Sequence, residues 1–320
     1  MAAVFASEEV GEKRYSLSKL EEEYLSMLEG IKTVTFFQGS SKNLVAYLKA
    51  RLPLIATANP WIVGSIDKAV PPKKGHEIVV PLPASAASKI VDYCLSEANV
   101  PDISISTPYH ELIEKLKQYK VKNGAACAAG TNEPLFKLVV FSGPSDEQCA
   151  LYFDLSHVLA DGHSYYQIFN MLSEGSEIKA LNPERKVGFG LTDEPCQKLL
   201  GKEESSLGMS GAYTCMLMSR FMCGKKRHAK CYMIDPEKVK AAKAKIANTG
   251  QTKFVSTNDL ATSSIGVATK TNFMEMALNL RGRLEDRKLL FTAPQLFSFY
   301  DYRDAARLTI KYTWYESFKQ

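Results

Sequence analysis

The sequence predicts an α+β fold in two parts, and three observations predict it. Leu151–Leu172 changes period within one stretch. Leu151, Phe153 and Leu155 alternate with Tyr152, Asp154 and Ser156, the pattern of a half-buried strand; Tyr165, Ile168, Phe169 and Leu172 then follow at helical spacing. Upstream, β-branched and aromatic runs alternate with leucine-spaced ones. Downstream, Ser173–Lys230 is punctuated by Gly and Pro, and a second series of strand and helix patterns starts at Lys230. A chain of 320 residues is long enough for two domains with sizeable cores. These shifts divide it into an N-terminal part, 1–185, a crossover, 186–229, and a C-terminal part, 230–320.

The elements follow in order. Tyr15–Glu29 reads as a start segment and a short helix, and Lys32–Gln38 as a strand. Ser40 and Ser41 cap a helix with Leu44, Leu48 and Leu52 on one face. Pro53 is expected to end it, because the residue before a proline is pushed out of the α region. Trp61–Ile66 resumes as a strand, Glu77–Leu82 as another, Ser85–Ala98 as a helix and Tyr109–Tyr119 as a charged amphipathic helix over the core. Pro134–Ser142 is a strongly apolar strand. The turn chemistry of Gly143-Pro144-Ser145-Asp146 returns the chain as Gln148–Ser156, so a β-hairpin delivers His157 to the centre of the molecule. In the second part, Lys230–Ile234 reads as a strand and Pro236–Asn248, opened by Asp235, as a lysine-rich helix. Ser256 or Thr257 caps a helix carrying Leu260 and Ile265, and Phe273–Leu280 is an apolar strand. Phe291–Tyr300 and Leu308–Trp314 read as two more.

Composition narrows the class. A hydrophobic fraction of 45% is ordinary for a globular protein, and a net charge of +5 spread along the chain carries no nucleic-acid signature. The seven cysteines form no CxxC pair, and their odd number fits reduced thiols. Cys215, Cys223, His228 and Cys231 have the wrong spacing for a zinc finger, so no metal is expected. MAAVFASEEVGEKR lacks a basic region followed by an apolar core, and no apolar run is long enough to span a membrane. A cytoplasmic protein with no signal peptide is the expectation.

The chemistry centres on His157-Val158-Leu159-Ala160-Asp161-Gly162, between the strand and the helix. An unperturbed imidazole titrates at about pH 6.5, so a histidine held at a strand end can take a proton from a hydroxyl or amine within hydrogen-bond reach. The plainer alternative is a satisfied loop histidine. Asp161, past a tight bend, either orients the ring or pins the loop through an arginine. Gly162 suits a position that a Cβ would hinder.

This stretch resembles the HxxxDG motif of the chloramphenicol acetyltransferase-like superfamily, which includes the BAHD acyltransferases, the alcohol acetyltransferases and the condensation domains of peptide synthetases. The strand before the motif and the helix after it are similar too. So are the Leu-rich helix running into Asn59-Pro60-Trp61, the Ser256-Thr257-Asn258-Asp259-Leu260 helix start, and Asn279-Leu280-Arg281-Gly282-Arg283 at a strand end. The resemblance implies two stacked mixed-sheet subdomains of the chloramphenicol acetyltransferase type. It implies His157 as general base, with Asp161 and Gly162 structural at the site and Arg281, or less favourably Arg283, holding Asp161. It implies acyl-CoA as co-substrate, with no tightly bound cofactor, and a small-molecule hydroxyl or amine as acceptor. The basic run Lys225–Lys230 reads either as contact with coenzyme A phosphates or as a solvated linker, the plainer of the two. BAHD enzymes continue past the arginine motif into a DFGWG segment; here Leu284–Gln320 follows and DFGWG is absent. The second subdomain is therefore expected to be incomplete, through shortening, truncation or completion by a partner subunit or second copy.

Three readings stand at this stage. The first is transfer of an acyl group from acyl-CoA. The second is a non-catalytic binding or scaffold protein on the same fold. The third is a condensation-type enzyme with a carrier-bound donor; such enzymes place a second histidine where this chain has Ser156.

Overall fold

In the structure, a computed structural model, the described residues are 12–185 apart from 19–20, 23–24, 26–28, 101–102, 129–132 and 146, then 215, 219, 234–248 and 254–269, with 274–278 and 296–300 as backbone. The chain divides into two compact units. The described residues up to Arg185 belong to the first and those from Cys215 onward to the second.

The first unit is organised by a four-stranded sheet. Strand β1 (Lys13–Ser16) lies elsewhere; β2 (Gly30–Gln38) opens this sheet. The order is β2-β7-β6-β5, with β5 at Leu95–Asn99, β6 at Phe136–Ser142 and β7 at Gln148–Ser156. β7 runs antiparallel to both neighbours, from Gly30↔Ser156 to Gln38↔Gln148 on one edge and from Phe136↔Leu155 to Ser142↔Cys149 on the other. β5 is parallel to β6, so the sheet is mixed. A second sheet, β1-β4-β3, is antiparallel, with β3 at Ser65–Lys68 and β4 at His76–Val80. The α+β class is as predicted.

β7 is buried on both faces rather than half-buried: all its residues after Gln148 are inaccessible. Leu151, Phe153 and Leu155 join the main core, while Ala150 and Tyr152 pack with Val139, Phe141, Ile103 and Leu116 on the opposite face. A central strand has a layer on each side, so its alternation separates two cores instead of a core from water. The helices α1 (Ser41–Ala58), α2 (Pro83–Cys94) and α5 (Gly162–Met171) contribute to the main core. Helix α3 (Tyr109–Leu116) brings Leu112 and Leu116 to the other, and the short α4 (Gly124–Ala128) brings Cys127 to the main one.

Four local expectations are corrected. Pro53 does not end α1; the helix continues to Ala58. Leu52, Ile55 and Ala56 are fully buried, and burying such side chains outweighs a mid-helix proline that costs about 3 kcal/mol, while Lys49, whose carbonyl loses its donor, is exposed to water. The stretch after Asn59 is a 3₁₀ turn, Pro60–Val63, before β3 begins at Ser65. The proline opens this turn, and Asn59 ties it down: the buried amide accepts from Leu181 N (2.8 Å) and donates to the Lys179 carbonyl (2.8 Å). Helix α2 stops at Cys94, four residues early, because Leu95–Asn99 is taken as an edge strand beside β6. The start segment expected from Tyr15 begins as strand, with Tyr15 and Ser16 paired with Ile78 and Glu77.

The second unit contains α6 (Pro236–Ala247) and α7 (Thr257–Thr269). Asp235 caps α6 by accepting from Glu237 N and Lys238 N. Ser256 and Asp259 form a reciprocal capping box on α7. Ile246, Val255 and Leu260 make a small core, whereas Ile265 is exposed. Strands β8 (Met274–Leu278) and β9 (Leu296–Tyr300) pair antiparallel. The strand expected at Leu308–Trp314 and most of that at Lys230–Ile234 lie outside the described residues.

Phe153 is the centre of the main core, its ring edge-on to Phe136 (5.1 Å), Tyr165 (4.8 Å) and Phe169 (5.4 Å). Phe153→Ala is expected to cost about 3–5 kcal/mol in unfolding free energy, measured by urea denaturation.

Candidate active site

The site grows out of the end of β7. Ser156, fully buried, donates its backbone N–H to the Leu135 carbonyl (2.7 Å), and its own carbonyl accepts from Leu159 N (2.9 Å) and Ala160 N (3.2 Å). The chain therefore folds into a tight turn immediately after the strand. His157, half-buried, sits on that turn with its N–H on the Glu29 carbonyl (3.2 Å). Val158 donates to Ser156 Oγ (3.3 Å). Val158, Leu159 and Ala160 are buried, which locks the turn into the core instead of leaving it as a surface loop. Gly124 permits this: a Cβ there would come within 2.7 Å of Val158 Cγ2 and 2.6 Å of Leu25 Cδ1.

Asp161 closes the turn and starts α5. It is extended, and its carboxylate accepts from Ser164 N (3.0 Å), an N-cap of the ordinary kind. The helix begins at Gly162. Around Gly162, no described atom lies within 4 Å of where a Cβ would be, so the expectation that a side chain would be hindered there is corrected. At the first position of a helix the Cβ points outward, and the glycine there is not explained by crowding.

A residue that sequence reasoning passed over braces the turn. Arg185 is buried, its side chain 1% exposed, and it donates from Nη2 to the carbonyls of Val158 (2.7 Å) and Leu159 (3.3 Å). Its Nε donates to both carboxylate oxygens of Glu21 (3.1 and 3.2 Å) and its Nη1 to the Pro183 carbonyl (2.9 Å). Glu21 is itself held in a capping box, accepting from Ser18 N (2.7 Å) while Ser18 Oγ accepts from Glu21 N (3.3 Å). The Ser18-x-x-Glu21 pattern is readable in the sequence; nothing local marks Arg185. At the far end of α5 a second arginine does similar work: Arg51 Nε donates to the Met171 carbonyl (2.8 Å) and Tyr47 to that of Leu172 (2.8 Å).

On the other face of β7 the sheet is closed by a clasp of charges. Lys32, Asp154 and Lys137 lie in register across β2, β7 and β6. Val121 crosses over Asp154 and donates its N–H to Oδ2 (2.9 Å), as does the Tyr152 hydroxyl (2.8 Å). Its neighbours reach down on each side: Lys120 and Lys32 both pair with Glu29 (2.9 and 3.0 Å), and Lys122 and Lys137 both with Glu133 (3.0 and 3.5 Å). The lysines hold both glutamates below the usual carboxylate range. Asp154 is the opposite case. Burial raises its pKa, against the lowering hydrogen bonds from Val121 and Tyr152. Its Oδ1 has no hydrogen-bond partner among the described residues and sits 1.7 Å from where a Cβ on Gly30 would be, so glycine is required at position 30, diagonal to it.

Of the predicted site residues, His157, Asp161 and Gly162 are brought together on the one turn. Arg281, Arg283, Lys225–Lys230, Cys223, His228 and Cys231 lie outside the described residues. Among the described residues there is no group of three His, Cys, Asp or Glu side chains able to hold a metal ion, and no helix long and apolar enough to cross a membrane.

No family model matches the sequence, and no curated protein matches it. Solved structures do. TRI101 of F. sporotrichioides, crystallised with coenzyme A and T-2, is 14% identical and superposes with a TM-score of 0.53, over 94% of this chain and 74% of that one. The fold is of the chloramphenicol acetyltransferase-like type. TRI3, a trichothecene 15-O-acetyltransferase from Fusarium sporotrichioides, is 13% identical with a TM-score of 0.50, over 86% of this chain and 62% of that one. The first condensation domain of the calcium-dependent antibiotic synthetase, in complex with a substrate analogue, is 10% identical with a TM-score of 0.50, over 94% and 75%. At these identities the likeness is one of fold.

Asp154 gives a pH prediction. With a folded pKa raised above the ordinary 3.8, its stability contribution is full below that value and is lost as pH rises through the folded pKa. Asp154→Asn keeps an acceptor for Val121 and Tyr152 and cannot ionise. Its Tm relative to wild type is therefore expected to rise between acid and mildly alkaline pH, read by thermal denaturation across that range.

Proposed function

We propose that the chain is an acyltransferase that moves an acyl group from acyl-CoA to a small-molecule hydroxyl or amine, with His157 as general base. The observation that carries this reading is the turn itself: a half-buried histidine at the end of a central strand, on a turn whose Val158 and Leu159 peptide groups are hydrogen-bonded within the protein, in a superfamily fold shared with TRI101 crystallised with coenzyme A. The imidazole takes the proton of the acceptor as its oxygen or nitrogen attacks the thioester carbonyl. A tetrahedral oxyanion forms, the C–S bond breaks, and the proton passes from the imidazolium to the departing thiolate, leaving free coenzyme A and the acylated acceptor. Nothing in this sequence of steps calls on a bound cofactor.

A condensation-type reaction with a carrier-bound donor is the second reading, favoured by the likeness to the condensation domain. Against it, the position before His157 is Ser156, and its hydroxyl is occupied with Val158 N inside the turn.

Thiol release from acetyl-, malonyl- and longer acyl-CoA with pooled alcohol and amine acceptors tests the reading. Release that requires an acceptor and falls about 10²–10⁴-fold in His157→Ala is the expected result. Undiminished release by that variant removes His157 as base. Release from an acyl-pantetheinyl carrier but from no acyl-CoA selects the second reading. Pairing of Asp161 with Arg281 is part of the same proposal. Asn caps a helix as well as Asp does, so Asp161→Asn spares the cap and removes the charge. A drop in stability of about 3–5 kcal/mol is expected for a buried bridge; an unchanged Tm leaves Asp161 as a cap alone.

A further inference from the structure

We propose that Arg185 is a positioning residue for His157, an inference that rests on the acyltransferase reading. Its guanidinium fixes the peptide groups that follow the histidine and thereby sets the direction in which the imidazole leaves the end of β7.

The backbone on both sides of His157 is held. On the N-terminal side its N–H is tied to the Glu29 carbonyl (3.2 Å). On the C-terminal side the next residue is held at both of its peptide groups: Val158 N–H by Ser156 Oγ (3.3 Å) and Val158 C=O by Arg185 Nη2 (2.7 Å). The same nitrogen takes the Leu159 carbonyl (3.3 Å). With these anchors in place His157 has little backbone freedom. Lysine cannot replace this arrangement. Its ammonium is one point charge, whereas the guanidinium faces Glu21 with Nε, Pro183 with Nη1 and the turn with Nη2 at once. Glu21 supplies the counter-charge at 10% exposure, and its capping box with Ser18 keeps it from following the arginine. Buried carbonyls without donors shift toward water or another partner, so removal of the guanidinium releases the turn at the residue next to the base. Displacing a catalytic group by about 1 Å costs about 10²-fold in rate.

Three variants test this: Arg185→Ala, Arg185→Lys, and the double variant Glu21→Met/Arg185→Met, which removes the buried charge pair together and leaves no orphaned ion. Each is assayed with acetyl-CoA and pooled acceptors, by thermal denaturation, and by NMR titration of the His157 imidazole. The expected result is a folded double variant with kcat about 10²-fold lower, little change in KM, and a displaced His157 titration curve. Millimolar guanidinium should restore part of the turnover of Arg185→Ala and none of that of His157→Ala. Wild-type kcat in any folded variant, or a titration curve that superimposes on wild type, overturns the proposal. So does failure of all three to fold, which makes Arg185 a structural residue only. If wild type itself releases no thiol from any donor, the acyltransferase reading falls, and the His157 titration decides the positioning role by itself.

Discussion

β7 is hydrogen-bonded along both edges, and the first unit depends on that. A strand paired from Gly30 to Gln38 on one side and from Phe136 to Ser142 on the other cannot slip by one residue without exchanging its two faces. Its alternate side chains are committed to two separate cores, so the register is set twice over. The residue that follows the last paired position is His157. A side chain placed there inherits the rigidity of the sheet's centre without being sealed inside it.

The cost of that placement falls on the turn. Val158, Leu159 and Ala160 are buried, so their peptide groups must find partners within the protein. The three N–H groups find them in Ser156, and the Val158 and Leu159 carbonyls in Arg185, which reaches the turn from a segment beyond α5. Asp161 then spends its carboxylate on the helix N-terminus. The outcome is a short connection held by its own backbone, by a cap and by a buried guanidinium.

The opposite face of the sheet is handled with charge. Lys120-Val121-Lys122 straddles Asp154, the two lysines sharing Glu29 and Glu133 with Lys32 and Lys137. These pairs are partly exposed and individually worth about 0–1 kcal/mol. Their contribution is geometric: they seat Val121 over the sheet, where it donates to an aspartate whose neutral form burial favours. Because Glu29 also accepts from His157 through its carbonyl, the clasp and the turn share a residue.

Period alone determined much of this protein. The switch from period 2 to helical spacing across Leu151–Leu172 located β7, the turn and α5, and Gly143–Asp146 located the hairpin, because each signal is contained in a few adjacent residues. The serine and aspartate caps at Ser40, Asp235 and Ser256 were legible for the same reason. Where the signal had to be weighed against distant contacts, tertiary structure decided. Pro53 stays helical because Leu52 and Ile55 are buried beside it; Leu95–Asn99 becomes a strand because β6 offers an edge; β7 loses its solvent face because α3 and Val121 cover it. Arg185 is the clearest instance. A guanidinium is assigned to a turn by the carbonyls it meets, and those lie 26 and 27 residues away in the chain, a separation that no local pattern records.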